Sequence, residues 1–233
     1  FNSVVALTAT AAGNIDLQSE YNGFTSFTGT STGNGSIKLR GHSFDFAADT
    51  GGAVDIRAAT NVTGSRMLRA GSLSIVSDGG SIDLNPSTYA VGRFGDLRAG
   101  GGDVNVYATG DILLTGAVSG GWVGLSSTAN IDQSAGSVVT ANRVNLNSGG
   151  YIVLDGANAV GTYAVSAASI AALYSTRDVT IAAGASVGDW LTVNSTGSIT
   201  LGGGSVNGAL TLEAGGNVGQ TGSITAASVK GSA

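Results

Sequence analysis

Short phrases in which apolar and polar residues alternate return along the whole chain, and a glycine usually introduces them. Two examples are Gly35-Ser36-Ile37-Lys38-Leu39 and Gly197-Ser198-Ile199-Thr200-Leu201. Alternation places one set of side chains on each face of a short β-strand. One such strand cannot bury its apolar face alone, whereas many stacked copies can. The pattern therefore predicts a solenoid.

The first apolar residues of these phrases recur with a period of about 19 residues, as from Leu191 to Leu210, which is a repeat length typical of solenoids. A second strand phrase follows after eight or nine positions, and a weaker apolar position follows that one. Three short strands per turn predict an all-β, three-sided parallel β-helix of about eleven turns, with residues 1–233 as a single segment. An antiparallel sandwich is the alternative fold, because Asn-Gly pairs such as Asn34-Gly35 are also typical of hairpins.

Two intervals are clearly longer than the rest, one from Leu73 to Val104 and one from Val144 to Leu173. We expect protruding insertions there, near residues 86–98 and 155–169. Insertions in solenoids form loops, loops carry recognition, and Tyr and Arg are favoured contact residues. A widened turn without a ligand is the alternative. The candidate recognition residues are Tyr89, Arg93, Phe94, Arg98 and Tyr163.

Aromatic residues are concentrated between residues 21 and 46, and two tryptophans stand at predicted strand starts. Phe44 and Phe46 alternate along one strand phrase, so both can point inward. For all of these residues we favour packing within the fold over a carbohydrate-stacking surface. The residues concerned are Tyr21, Phe24, Phe27, Phe44, Phe46, Trp122 and Trp190.

Composition narrows the class of protein. Hydrophobic residues make up 42% of the 233 residues, which is enough for a core. Charged residues make up only 11%, against roughly 25% in average domains. Seven of the ten basic residues lie between Lys38 and Arg98, but six acidic residues share that stretch and the net charge is −5. We therefore expect a mixed polar surface and no nucleic-acid partner. The absence of cysteine excludes disulfides and thiolate metal sites.

Catalysis and metal binding have weak support in the sequence. Glycoside-cleaving β-helices need clustered carboxylates with a base, and His42 reads as a structural or exposed residue. Asp55, Asp83 and Asp103 are expected to face water and could align as an acidic ladder, which favours solubility over calcium binding or catalysis. Gly100-Gly101-Gly102-Asp103 has the wrong offsets for a calcium nonapeptide. We predict no enzyme activity, cofactor or metal.

One phrase occurs twice and points to a family. It reads Asn130-Ile131-Asp132-Gln133-Ser134-Ala135-Gly136-Ser137-Val138 and, later, Asn217-Val218-Gly219-Gln220-Thr221-Gly222-Ser223-Ile224. Leu210-Thr211-Leu212-Glu213-Ala214-Gly215-Gly216-Asn217 adds a matching junction. These phrases resemble the haemagglutinin-type repeats of the filamentous haemagglutinin family, the exoproteins of bacterial two-partner secretion. The resemblance covers most of residues 50–233.

The resemblance implies a right-handed β-helix, secreted through an outer-membrane pore and located outside the cell or at the bacterial surface. It implies a structural and adhesive shaft that presents binding regions to a host or bacterial receptor or glycan. The family's amino-terminal secretion motif is not recognisable, so we expect a fragment of a longer exoprotein. Autotransporter passengers look similar. The alternative functions are a polysaccharide-active enzyme, a carbohydrate-binding module, or a filament protein that associates end to end or side by side.

Overall fold

The chain is a parallel β-solenoid of about 12 turns, spaced about 19 residues apart. The computed structural model describes residues 6–19, 22–85 and 88–233. These residues form only β-strands and connecting corners, and none of them belongs to a helix that could span a membrane. The stacked parallel strands confirm the predicted fold class over the antiparallel sandwich.

The strands are short, and most contain between three and six residues. They are β1 (Ala6–Ala11), β2 (Ile15–Leu17), β3 (Ser26–Ser31), β4 (Ile37–Gly41), β5 (Phe44–Asp49), β6 (Ala53–Ala58), β7 (Val62–Gly64), β8 (Met67–Ala70), β9 (Ser72–Ser77), β10 (Ile82–Leu84), β11 (Thr88–Val91), β12 (Phe94–Ala99), β13 (Val104–Ala108), β14 (Ile112–Leu114), β15 (Ala117–Ser127), β16 (Ile131–Gln133), β17 (Val138–Ser148), β18 (Ile152–Leu154), β19 (Ala159–Ala167), β20 (Ala171–Ser175), β21 (Val179–Ile181), β22 (Ala185–Val187), β23 (Leu191–Ser195), β24 (Ile199–Leu201), β25 (Gly204–Ala214), β26 (Val218–Gln220) and β27 (Ile224–Ser232).

The strands group into two compact units, whereas a single segment of residues 1–233 was predicted. Unit 1 comprises Phe1–Ala108 and Thr115–Gly121. Unit 2 comprises Thr109–Leu114 and Trp122–Ala233. Each unit has its own stack of parallel strands and its own buried core.

In unit 1, one side of the stack consists of β2, β4, β6, β9 and β12 in parallel register. Ile37, Val54, Leu73 and Phe94 occupy matching positions in successive turns, and all four are fully buried. Burying a side chain of this size stabilises the fold by about 1.5–3 kcal/mol. The apolar column therefore holds the turns of this side together.

Aromatic side chains fill the core of unit 1 near its first turns. Phe27 stacks in register with Phe46, and both are fully buried. Phe24 lies with its ring centroid 5.8 Å from that of Phe27 and 5.2 Å from that of Phe44. This confirms that Phe44 and Phe46 both point inward. Tyr21 lies outside the described residues.

Unit 2 shows three strands per turn most clearly. The successive strands β20, β21 and β22 pair in parallel with β23, β24 and β25 of the following turn. On the side that contains β20 and β23, the positions of Ala171, Leu191 and Leu210 stack in register and are fully buried. This repetition confirms the predicted three-sided cross-section for the unit.

Two buried amides interrupt the apolar columns of unit 2. The Gln133 Nε2 donates to Asn158 Oδ1 at 2.8 Å, and the Asn158 Nδ2 donates back to Gln133 Oε1 at 3.0 Å. Backbone groups complete the network, since the amide of Val139 also donates to Asn158 Oδ1. Gln133 belongs to the phrase that occurs twice in the sequence. In the structure, its side chain forms hydrogen bonds inside a corner of the solenoid.

The structure contradicts the predicted insertions. Residues 94–99 form β12 and residues 159–167 form β19, and both strands pair within the stack. Leu73 is in register with Phe94, and Val144 with Tyr163. The two intervals are long because the residues at their ends, Leu73 and Val104 or Val144 and Leu173, lie on different sides of the solenoid. Pro86, the start of the first segment, lies outside the described residues.

Corner glycines serve mainly to let successive turns approach each other. Among the described residues, a positive φ occurs only at Gly136, Gly184, Gly203 and Gly204. The glycines of Asn-Gly pairs such as Asn34-Gly35 and Asn207-Gly208 are not among them. A Cβ at Gly208 would instead lie 2.5 Å from the carbonyl oxygen of Asp189 in the preceding turn.

Candidate functional site

A shallow polar groove of about 400 Å³ lies on the outward face of unit 1. The strands β2, β4, β6, β9 and β12 form its floor, and alternation directs every second side chain outward. The residues that line the groove are Gln18, Lys38, Leu39, Arg40, Asp55, Ile56, Arg57, Ser74, Val76 and Asp96.

One column of outward side chains in the groove alternates in charge. Lys38 is in register with Asp16 in the preceding turn and with Asp55 in the following turn. Adjacent strands lie about 4.8 Å apart, which brings these charges close together. The position of Lys38 therefore lies between those of two aspartates, and like charges are not adjacent in this column.

The neighbouring column contains arginines. Arg40 is in register with Arg57, and Arg57 forms a two-point ion pair with Asp78 at 3.1 and 3.2 Å. The hydrogen bonds that Arg57 donates to Asp78, together with the negative charge of that carboxylate, raise the pKa of the Arg57 guanidinium above its ordinary value. Two turns beyond Arg57, Arg98 pairs with Asp96 at 2.9 Å. Carboxylates thus engage Arg57 and Arg98 of this column.

A β-bulge shapes the far end of the groove. Phe94 is in register with Leu73, but Leu97 is in register with Ile75, so β12 carries one extra residue there. Asp96 lies in that bulge, and its Oδ1 accepts a hydrogen bond from the amide of Ala117 at 2.9 Å. The bulge thus places a carboxylate on the rim.

Cations and carboxylates on a flat β-sheet face can bind ligands that carry carboxylate or hydroxyl groups. Arginine binds carboxylates in a planar fork, and aspartate accepts hydrogen bonds from hydroxyls. In the groove, these groups are repeated at the spacing of the turns. The arrangement therefore fits an extended polar chain better than a small compact molecule.

The predicted recognition residues do not form one surface. Phe94 and Tyr163 are fully buried, so as contact residues for a partner they were wrong. Tyr89 is half-buried, and its ring stacks on that of Phe94 at 6.0 Å between centroids. Arg93 and Arg98 are exposed, and of these five residues Arg98 carries the ion pair beside the groove.

The hydroxyl of Tyr163 is satisfied inside the core of unit 2. It donates to the carbonyl oxygen of Tyr174 at 3.0 Å. Burial raises the pKa of Tyr163 well above its ordinary value, while a hydrogen bond with Asn158 lowers it to a smaller extent. This tyrosine is a structural residue.

The predicted acidic ladder does not form. Asp55 is in register with Lys38 and Ser74, and Asp83 with Thr63 and Asn105. Asp103 precedes β13 instead of occupying the middle of a strand. The described residues contain no group of three or more His, Asp or Glu side chains placed to hold a metal ion. His42 was expected to be either structural or exposed, and it is exposed.

The groove was not predicted, although the sequence contains a signal for it. Ile37-Lys38-Leu39-Arg40 and Val54-Asp55-Ile56-Arg57 repeat the same alternation in neighbouring turns, and each phrase has an arginine in its last position. Aligned as successive turns, the two phrases place Arg40 beside Arg57. The ion pair with Asp78 could not be found in this way, because Asp78 lies in a corner.

Comparison with known proteins supports a repeat architecture. A family described as repeats of unknown function (DUF5649) matches residues 188–233, which contain β23 to β27. No curated protein matches the chain. No solved structure matches it either. The family match and the fold together show a parallel β-helix repeat protein.

Proposed function

We propose that this chain is a structural and adhesive segment of a secreted bacterial surface protein, similar to the filamentous haemagglutinins of two-partner secretion. The observation that carries the proposal is the repeated stack, in which buried columns hold each turn while the outward face is free to vary. Leu154, Leu173 and Val193, for example, stack in register inside unit 2. Such a scaffold can present binding residues at a regular spacing.

The groove of unit 1 supplies the adhesive part of the proposal. Its outward side chains do not contribute to the buried core, because the apolar side chains that form the core come from the alternate residues of the same strands. Lys38 and Arg40 flank Leu39, which is buried, while both cationic side chains point outward. The proposed partners are a receptor or glycan on a host or bacterial cell and, during export, an outer-membrane pore.

Cell adhesion tests the proposal directly. Beads coated with the chain should retain bacterial or epithelial cells, and the double variant Lys38→Ala/Arg40→Ala should retain several-fold fewer. Arg143→Ala is the matched control, because Arg143 is exposed in unit 2 and bonds only Asn145 among the side chains described. Equal retention by uncoated and coated beads would contradict an adhesive role.

Location and catalysis need separate measurements. Antibodies against the chain should label intact cells of the source bacterium, and labelling confined to permeabilised cells would contradict surface exposure. Polysaccharides incubated with the chain should keep their length. Release of new chain ends would favour the alternative of a polysaccharide-active enzyme.

A further inference from the structure

Aromatic and aliphatic side chains project from one corner of unit 2 in successive turns. Tyr151, Ile170 and Trp190 each precede a strand of the side that contains β18, β20 and β23. The amide of Ile152 donates to the carbonyl oxygen of Ile170, and that of Ala171 to the carbonyl oxygen of Trp190, both at 2.8 Å. These bonds place Tyr151, Ile170 and Trp190 at equivalent positions, and we call the three residues the aromatic ridge.

Two of the three side chains of the aromatic ridge are exposed, so the expectation that Trp190 packs within the fold was wrong. Trp190 is 58% exposed and Tyr151 is 37% exposed, and Ile170 between them is half-buried. Contiguous exposed apolar surface on a soluble protein commonly marks a binding site. Trp and Tyr are also the residue types that contribute most to binding energy.

A glycine in the following turn supports the position of the tryptophan. A Cβ at Gly208 would lie 3.2 Å from Trp190 Cδ1, so any larger side chain there would crowd the indole. The amide of Gly208 donates to the carbonyl oxygen of Asp189 at 2.7 Å, which fixes the backbone beside the ring. The indole thus rests against backbone while more than half of it faces solvent.

Carboxylates flank the aromatic ridge at both ends. Asp189 is adjacent to Trp190 and accepts a hydrogen bond from the hydroxyl of Ser169 at 2.9 Å. Asp132 and Asp111 lie near Tyr151, and their charges add to partial burial in raising the pKa of that phenol. Negative charge at these positions disfavours an anionic partner and provides acceptors for hydroxyl groups.

The spacing of the two rings suggests the occupant. Tyr151 and Trp190 are two turns apart, which corresponds to about 10 Å along the stack. An extended β-linked polysaccharide presents the same sugar face at every second residue, with a comparable repeat. The apolar C–H face of one sugar can pack on each ring, while the hydroxyls at the sugar edges reach the flanking carboxylates.

We propose that unit 2 binds a neutral, extended β-linked polysaccharide along the aromatic ridge. The inference rests on the proposed adhesive function, and it names the partner class for one surface of that function. Tyr151 contacts one sugar, and Trp190 contacts the second sugar along from it. Asp132 and Asp189 accept hydrogen bonds from the hydroxyl groups of these sugars. No covalent step is involved.

Binding of cellohexaose and chitohexaose to the full chain tests this inference by calorimetry. One of the two should bind, and Trp190→Ala should weaken binding by about tenfold or more, as expected when a tryptophan that contacts the ligand is truncated. Trp190→Phe should recover part of the loss. Tyr107→Ala is the matched control, because Tyr107 is 43% exposed and lies in unit 1, outside the aromatic ridge.

Each remaining outcome would overturn the inference. Failure of both oligosaccharides to bind would do so, and if coated beads still retained cells, the adhesive function would stand with another partner. Binding of polygalacturonate alone would show that charge, not stacking, selects the ligand. Self-association that Trp190→Ala abolishes, without saccharide binding, would identify the aromatic ridge as a contact between copies of the chain.

Discussion

Individual polar side chains bond the corners from one turn to the next. The hydroxyl of Ser195 donates to the carbonyl oxygen of Arg177 at 2.7 Å and accepts from the amide of Gly197 at 3.0 Å. The hydroxyl of Ser148 does the same between Ala129 and Gly150. A serine that ends a strand and precedes a corner glycine by two positions therefore adds a hydrogen bond to each of two backbone groups of the corner.

The buried phenol of Tyr163 makes the stability of the fold depend on pH in the alkaline range. The pKa of Tyr163 is raised in the folded chain, so the folded state keeps its proton after the unfolded chain begins to lose it near pH 10. The stabilisation is complete below about pH 10 and is lost as pH rises above it. We expect the midpoint of thermal unfolding to fall steeply above that pH, and Tyr163→Phe to flatten the fall.

The same substitution removes the hydrogen bond to Tyr174, which should cost about 0.5–1.5 kcal/mol at neutral pH. Tyr107→Phe is the control, because Tyr107 is an exposed tyrosine of unit 1. An unchanged alkaline slope in Tyr163→Phe would show that other groups set the pH limit.

Between strands, the distance between successive turns determines which glycines can be replaced by a residue with a side chain. A Cβ at Gly188 would collide with the carbonyl oxygen of Ala168 in the preceding turn, whereas a Cβ at Gly219 would meet nothing within 4 Å. Both glycines lie in unit 2, and neither has a positive φ. The difference between them is one of packing alone.

Substitution at these two positions should therefore have opposite consequences. Gly188→Ala should lower the free energy of unfolding by about 1–3 kcal/mol, because the corner must shift to admit the methyl group. Gly219→Ala should leave it unchanged or raise it by about 0.4–1 kcal/mol, because the unfolded chain loses freedom. Urea denaturation measures both, and equal values for the two variants would contradict the close approach at Gly188.

At the scale of the whole molecule, each turn contacts the turns next to it, and the stability of a repeat array is then a sum over neighbours. Phe27 is in register with Leu7 and Phe46 in unit 1. Leu173 is in register with Leu154 and Val193 in unit 2. Damage at either site should therefore spread only to adjacent turns.

Amide hydrogen exchange can map this spread. Phe27→Ala should cost about 3–5 kcal/mol and reduce protection in β1, β3 and β5, while β18, β20 and β23 keep theirs. Leu173→Ala should give the reverse map at a cost of about 2–5 kcal/mol. Uniform loss of protection across both units in either variant would show that the chain unfolds as one cooperative body.

The sequence by itself determined the strands, their alternation, their parallel stacking and the inward direction of residues such as Phe44 and Phe46. These properties follow from local periodicity, because a period of two defines the face that each side chain occupies. Only the tertiary structure decided which strands share a side. The three strand types have similar sequences, so Leu73 could be matched to Val104 when its partner is Phe94.

That misassignment explains why Phe94 and Tyr163 were expected on loops, and why the aromatic ridge went unseen. A surface on a solenoid consists of residues from successive turns, and its composition changes completely if one turn is assigned to the wrong side. Backbone hydrogen bonds and close contacts at the corners determine which strands share a side. Both depend on backbone amide and carbonyl groups, which are nearly the same in every residue. Side-chain patterns therefore predicted the repeat, and the geometry of the folded backbone decided its surfaces.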